Sequence, residues 1–310
     1  MTRKPTVAIV GAGSLATFLA VALNDAGFTI TEIVARDSPR SQRHARSLAS
    51  KVGAQSVTAN SAVLDARLLW FCVPDREIRA AASALAVNLA ARPAVGKKGK
   101  PPTRVSSKVR FAFHSSGALL SRELDPLRKS GIAVASVHPL MTFVAGTHPS
   151  LTGVPFAVEG NPAATRVARQ IVRQLGGESF PLSAARKAAY HAWATLTSPL
   201  LLAFLVTLEE AARAAGLTRT DARRESLPII TQTLANYSRL GPAKSFSGPL
   251  VRGDAETVAR HLAVLKKHPG PREVYVALVR AALRGLPVKN REGLRRVLLD
   301  QGEADLSANT

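Results

Sequence analysis

The alternation of apolar and polar positions changes character once along this chain, near residue 182. Before that point short apolar runs alternate with segments of helical period; beyond it only the helical period remains. The runs "TVAIVG", "TITEIVAR", "ARLLWFCVP", "VRFAFHSSG", "AVASVHPL" and "VPFAVEG" predict strands. Helices are predicted between them: "SLATFLAVALNDAG" closed by Gly27, "SPRSQRHARSLASKVG" ending near Gly53, and "DREIRAAASALAVNLA" opened by Asp75 as N-cap. A fourth is "NPAATRVARQIVRQLGG", with Pro near its start and Gly at its end. Strand–helix alternation of this kind implies a doubly wound, mostly parallel sheet with helices on both faces, a Rossmann-type α/β arrangement, over residues 1–182. Residues 183–310 then form an all-α domain. Its first helix is expected over 184–215 with a kink at Pro199, and Pro228 is expected to kink or divide the second, near 220–239. The Gly-, Pro- and Lys-rich stretch Arg92–Lys108 reads as a solvated loop.

The first strand runs into Gly11-x-Gly13-x-x-Ala16 and a helix, with a second strand at the right distance. Gly11 permits the tight turn, Gly13 lets a pyrophosphate approach the backbone, and Ala16 is small enough for helix–strand packing. The amides of Ser14 and Leu15, at the helix N-terminus, would receive the anion. At the end of the second strand, where NAD-binding sheets carry an acid for the ribose hydroxyl, this chain has Arg36. A guanidinium there, helped by Ser38, Arg40 and Arg43, suits the 2′-phosphate of NADP; Asp37 keeps a ribose contact, and so NAD, open. Val73 and Pro74 form a strand-end turn expected to line the cofactor.

Further strand ends supply polar groups. Ser115, Ser116 and Gly117 could hydrogen-bond a substrate carboxylate or carbonyl, or could simply form a Ser/Gly turn. His138 also ends a strand, either as an acid or as an anchor for the turn before Pro139.

The run "FHSSGALLSRELDPLRKSGIAVASVHPLMTF", with the later "SGPLVRGDAETVARHLAVL", resembles the Rossmann-like proteins that carry a DUF2520 C-terminal domain. That family is related in architecture to pyrroline-5-carboxylate reductase, ketopantoate reductase and the β-hydroxyacid dehydrogenases. The resemblance spans nearly the whole chain. It implies an NADP-dependent oxidoreductase-like fold whose helical second domain pairs two subunits. It also implies a lysine and an amide or imidazole one turn apart on the first long helix. Lys187 and His191 occupy those positions, at i and i+4 and so on one face, with Ser198 nearly on the same line. A lysine there can protonate a developing alkoxide or amine, while a histidine positions it or does the same work. Where the family commonly shows Ser-Asn, this chain has Ser198-Pro199, which removes a two-way hydrogen-bonding amide. The loop at "FSGPLVRGDAET" approaches the active site in relatives, so Arg252 becomes a candidate for holding an anionic substrate, with Asp254 an N-cap for the helix that follows.

Composition narrows the alternatives. A formal charge of +21 admits nucleic-acid binding, but the arginines are spread along the chain without aromatic interleaving, which argues against it. The single cysteine, Cys72, excludes a disulfide framework within the chain and suits a reducing cytoplasm. The histidines lack close ligand spacing, so no metal site is expected. No stretch is expected to cross a membrane, and "MTRKPT" leaves no room for a signal peptide before the first strand. The expectation is an NADP-dependent oxidoreductase reducing a small carbonyl or imine compound, as a cytoplasmic homodimer. The alternative is an NADP-binding sensor or interaction module without turnover.

Overall fold

The computed structural model describes residues 4–91, 108–147 and 149–307, with side chains up to residue 300. The basic stretch expected to be a loop lies, apart from Lys108, outside the described residues. Two compact units divide the chain, Met1–Thr195 and Leu196–Thr310.

The first unit contains β1 (Val7–Val10), α1 (Ser14–Asp25), β2 (Ile30–Ala35), α2 (Pro39–Val52), β3 (Gln55–Thr58), β4 (Leu68–Phe71) and α3 (Asp75–Ala90). It continues with β5 (Phe111–His114), a 3-10 turn running into α4 (Asp125–Arg128), β6 (Ala133–Pro139), β7 (Pro155–Gly160), α5 (Pro162–Gln174), β8 (Glu178–Pro181) and most of α6 (Lys187–Thr197). The strands form one sheet in the order β3-β2-β1-β4-β5-β6-β7-β8, parallel throughout except where β6 meets β7. This is the expected doubly wound sheet, with the order reversing between β1 and β4. Strands β3 and β8 were not anticipated; they are short edge strands of mixed polarity.

Burial explains why β1 reads as an unbroken apolar run. Val7 and Ile9 pack with Leu19, Leu23 and Leu48 on one face, while Ala8 and Val10 pack with Ile78, Leu85 and Leu127 on the other. A strand covered on both sides cannot alternate with polar residues. Ser38 caps α2 through its hydroxyl, and Gly53 ends that helix in the left-handed region. Asp75 departs from expectation. Pro74 is the N-cap of α3, and the Asp75 carboxylate instead accepts a hydrogen bond from Ser116.

The second unit is helical: α7 (Pro199–Ala212), α8 (Arg219–Ser245), α9 (Pro249–Arg252), α10 (Ala255–Leu265), α11 (Pro269–Gly285) and α12 (Arg291–Ser307). Val258, Leu262, Val279, Leu283, Leu294 and Leu298 form its core. Asp254 caps α10, accepting from the Thr257 amide. The stretch expected as one kinked helix is broken at Ser198 (φ −132°, ψ −76°), and Pro199 starts a new helix. Pro228 does not divide α8. The break falls at Gly241 (φ 74°, ψ 171°), a conformation open essentially to glycine alone, immediately before Pro242. Contrary to expectation, the 32 residues Ala184–Ala215 are long and apolar enough to cross a membrane by length and composition, although the break at Ser198 interrupts them. Leu200, Leu202, Leu227, Ile229, Leu234 and Tyr237 are exposed on α7 and α8.

Candidate active site

Parallel strands deliver their C-terminal ends to one side of the sheet, and the first unit gathers its polar groups there. A cleft of about 690 Å³ opens beyond β1, β2 and β4. Gly11, Gly13, Arg36, Ser38, Arg40, Val73 and Pro74 all line it, as the sequence predicts for a dinucleotide. Gly11 takes φ +115°, and a Cβ there would come 2.4 Å from the Cys72 carbonyl oxygen. Gly13 differs: a Cβ would meet nothing within 4 Å, so its Cα faces open space. It is the N-cap of α1 and offers no side-chain cap, leaving the first-turn amides, those of Ser14 and Leu15 among them, for an anion. Ala16 is fully buried in the core beneath this turn. These features fit a bound pyrophosphate.

At the far end of the cleft Arg36 forms an ion pair with Glu77 at 2.8 Å, its guanidinium still largely exposed. The Ser38 hydroxyl is engaged in capping α2, and Asp37 accepts from Gln42. Arg40 and His44 complete a basic rim. A larger groove of about 980 Å³ lies along α1 and α2 and is closed by residues 143–147; it lacks the ends of β4 and β5.

The other end of the site is built by β4, β5, β6 and α6. Ser115 accepts from the Trp70 indole N–H at 2.9 Å. Cys72 is buried and its thiol is pushed up to about 12, chiefly by burial, with the Ser115 hydrogen bond opposing. The Ser116 hydroxyl is fully occupied, donating to Asp75 at 2.8 Å and accepting from the amides of Ala118 and Leu119. Ser116 thus shapes a turn, the second of the two readings open for it. Behind that turn the buried His114 accepts from the Ser116 amide and reaches the Leu120 carbonyl, and burial pushes it down to about 4.

Gly117 explains itself by proximity. A Cβ there would lie 2.6 Å from Cδ2 of His191 and 2.8 Å from Nε2 of His138. The two imidazoles therefore pack against the Gly117 backbone so closely that only glycine fits there. His138 Nδ1 meets the Tyr190 hydroxyl at 2.6 Å. Burial, then the nearby charge of Lys187, pushes His138 down to about 4.

Lys187 is 2% exposed and donates to Ser136 Oγ at 2.5 Å; Ser136 in turn donates to the Ser116 carbonyl. Burial lowers Lys187 to about 8, with the carboxylates of Glu159 and Asp75 pulling the other way. Glu159 is held by the Ser121 amide and hydroxyl. The structure thus brings Ser115, Ser116, Gly117, His138, Lys187 and His191 together. Ser198 and Arg252, both exposed, belong to the second unit. Sequence reasoning missed Ser136, Tyr190, Asp75 and Glu159 as members of the site. Ser136 shares a strand face with His138, and Tyr190 stands three residues beyond Lys187; both are signals that periodicity could have exposed. Among the described residues, no group of three or more metal-ligating side chains is placed to hold a metal ion.

Fold and site define a Rossmann-type nucleotide-binding protein with the oxidoreductase architecture. Residues 6–95 match the family "NADP oxidoreductase coenzyme F420-dependent", and residues 154–282 match the domain of unknown function DUF2520. The chain is therefore a Rossmann-like protein carrying a DUF2520 domain. Similar solved structures include protein TM1727 of Thermotoga maritima, with TM-score 0.65 and 22% identity over 95% of this chain and 99% of that one. The imine reductase of Myxococcus stipitatus in complex with NADP+ has TM-score 0.60 and 17% identity over 90% and 94%. The pyrroline-5-carboxylate reductase of Coxiella burnetii has TM-score 0.56 and 13% identity over 97% and 98%. No curated protein shows significant similarity.

Proposed function

We propose that this protein is an NADPH-dependent reductase of a small carbonyl or imine compound. One observation carries the proposal. The cleft that fits a dinucleotide ends at Val73 and Pro74, and Lys187, His138 and His191 converge on the strand ends of the same sheet. The family matched by residues 6–95 and the imine reductase fold seen with NADP+ support the same reading.

Gly13 and the first turn of α1 hold the pyrophosphate, and Arg36 and Arg40 hold the 2′-phosphate. When bound, NADPH supplies the hydride for the carbon of the C=O or C=N bond. Lys187 supplies the proton that completes the alcohol or amine, and His191, on the same face of α6, positions it. The low dielectric around Lys187 makes its ammonium a better acid than it would be in water, which matches donor to task near neutral pH. Orientation of the substrate against the α6 face supplies much of the rate enhancement. The exposed apolar residues of α7 and α8 serve to pair two copies of the chain. The cysteine count accords with work in a reducing cytoplasm.

Titration with NADPH and NADH, followed by nicotinamide fluorescence, tests the cofactor half. Saturable binding with NADPH the tighter ligand supports it, and no saturable binding of either overturns it. A second reading, an NADP-binding protein without turnover, is favoured by the near-complete burial of Lys187. Cofactor binding without reduction of any keto acid or cyclic imine would distinguish it.

A further inference from the structure

Tyr190 is buried, its ring packed edge-on to Phe180 and His138 and tilted against Trp193. Among the described residues, His138 Nδ1 is the hydrogen-bond partner of its hydroxyl. We propose that Tyr190 is a positioning residue, fixing the proton of His138 on Nε2 and so presenting its one N–H donor on the side of Gly117 and His191.

The argument is one of hydrogen-bond satisfaction. If His138 carried its proton on Nδ1 and gave it to the Tyr190 oxygen, the phenolic proton would have no hydrogen-bond acceptor among the described residues, and a buried donor left unmade is costly. If the phenol donates instead, both atoms of the 2.6 Å contact are satisfied and Nε2 keeps the proton. Nε2 is the His138 atom packed nearest to Gly117, 2.8 Å from where a Cβ on that residue would stand. Titratable groups around the ring are Lys187, His191 and His114, all bases that disfavour a second proton on it. A neutral imidazole fixed in this way donates without carrying charge. It is suited to an acceptor atom on the ligand, an oxygen or nitrogen of the polar group being reduced or of a carboxylate beside it. Only this last assignment rests on the reductase reading; the tautomer does not.

The test is the imidazole 15N spectrum of full-length protein at neutral pH, with His138→Gln used to assign the signal and Tyr190→Phe as the probe. The expected result is protonation on Nε2 in the wild type and a mixture of tautomers in Tyr190→Phe. A wild-type His138 protonated on Nδ1 overturns the proposal, even if Tyr190→Phe fails to fold. An unchanged tautomer in a folded Tyr190→Phe protein overturns it too. With a turned-over substrate, Tyr190→Phe is expected to lower kcat by about tenfold while KM moves little, as for loss of an oriented donor. Absence of turnover in the wild type would count against the reductase reading and leave the tautomer result standing.

Discussion

Lys187, at the start of α6, donates to Ser136 in β6 across 2.5 Å, and both side chains are almost wholly buried. A cation in such a place is an energetic cost that a purely structural residue would avoid. Functional sites are where such costs are retained. Lys187→Met keeps the volume and removes the charge. We expect it to melt no lower than the wild type at neutral pH, by thermal unfolding, while losing at least about 100-fold in turnover, the scale of a missing general acid.

The same lysine sets a pH dependence. Its folded value, about 8, lies below the ordinary 10.5, so between those values the unfolded chain binds more protons than the folded one. The penalty is complete below about pH 8 and is lifted as pH rises toward 10.5. The stability difference between wild type and Lys187→Met should therefore shift in favour of the wild type across that window. A pH-independent difference would refute the assignment. Turnover that uses the ammonium should decline above about pH 8.

On the acid side His114 and His138 act together. Both are lowered from 6.5 to about 4, chiefly by burial, so the unfolded chain takes up protons first as pH falls. No penalty exists above about 6.5, and the full penalty is present below about 4. We expect the wild-type Tm to fall through this window more steeply than that of a His114→Gln/His138→Gln variant, provided the variant folds. Equal slopes would show that carboxylates alone cause the loss.

The glycines of the first turn separate folding from binding. Gly11→Ala meets the Cys72 carbonyl at 2.4 Å from a left-handed backbone and should destabilise by about 1–3 kcal/mol. Gly13→Ala meets nothing, at φ −81°, and should leave Tm within about 1 kcal/mol equivalent while weakening NADPH at least about tenfold, because the methyl occupies the phosphate approach. Melting and nucleotide titration of the two variants should thus give opposite patterns.

Arg36 now shares its guanidinium with Glu77. Glu77→Gln should free it and tighten NADPH more than NADH, whereas Arg36→Ala should erode the preference for NADPH, each by a few-fold to about tenfold for one exposed charge-assisted contact. Unchanged Kd ratios would move 2′-phosphate recognition to Arg40.

The cleft proposed for the cofactor was legible because it is local. Gly11, Gly13 and Arg36 lie within one β–α–β unit, where each residue type has a backbone or charge reason to be present. The edge strands β3 and β8 were not, since "QSVT" and "ESFP" lack a long apolar run and are fixed by their neighbours. The proposed reacting half is assembled across distance. Ser136 and Lys187 are 51 positions apart, His138 and Tyr190 52, and only the sheet register and the docking of α6 bring them together. Position 228 shows the limit of a punctuation rule, because the helix carries Pro228 and breaks instead at Gly241.

The most direct test is NADPH oxidation by the wild type and Lys187→Met against a panel of keto acids and cyclic imines. NADPH binding should be matched between the two proteins, with substrate-dependent oxidation in the wild type and its loss in the variant. Oxidation that survives Lys187→Met, or tight NADPH binding with no oxidation by the wild type on any compound, would contradict the account.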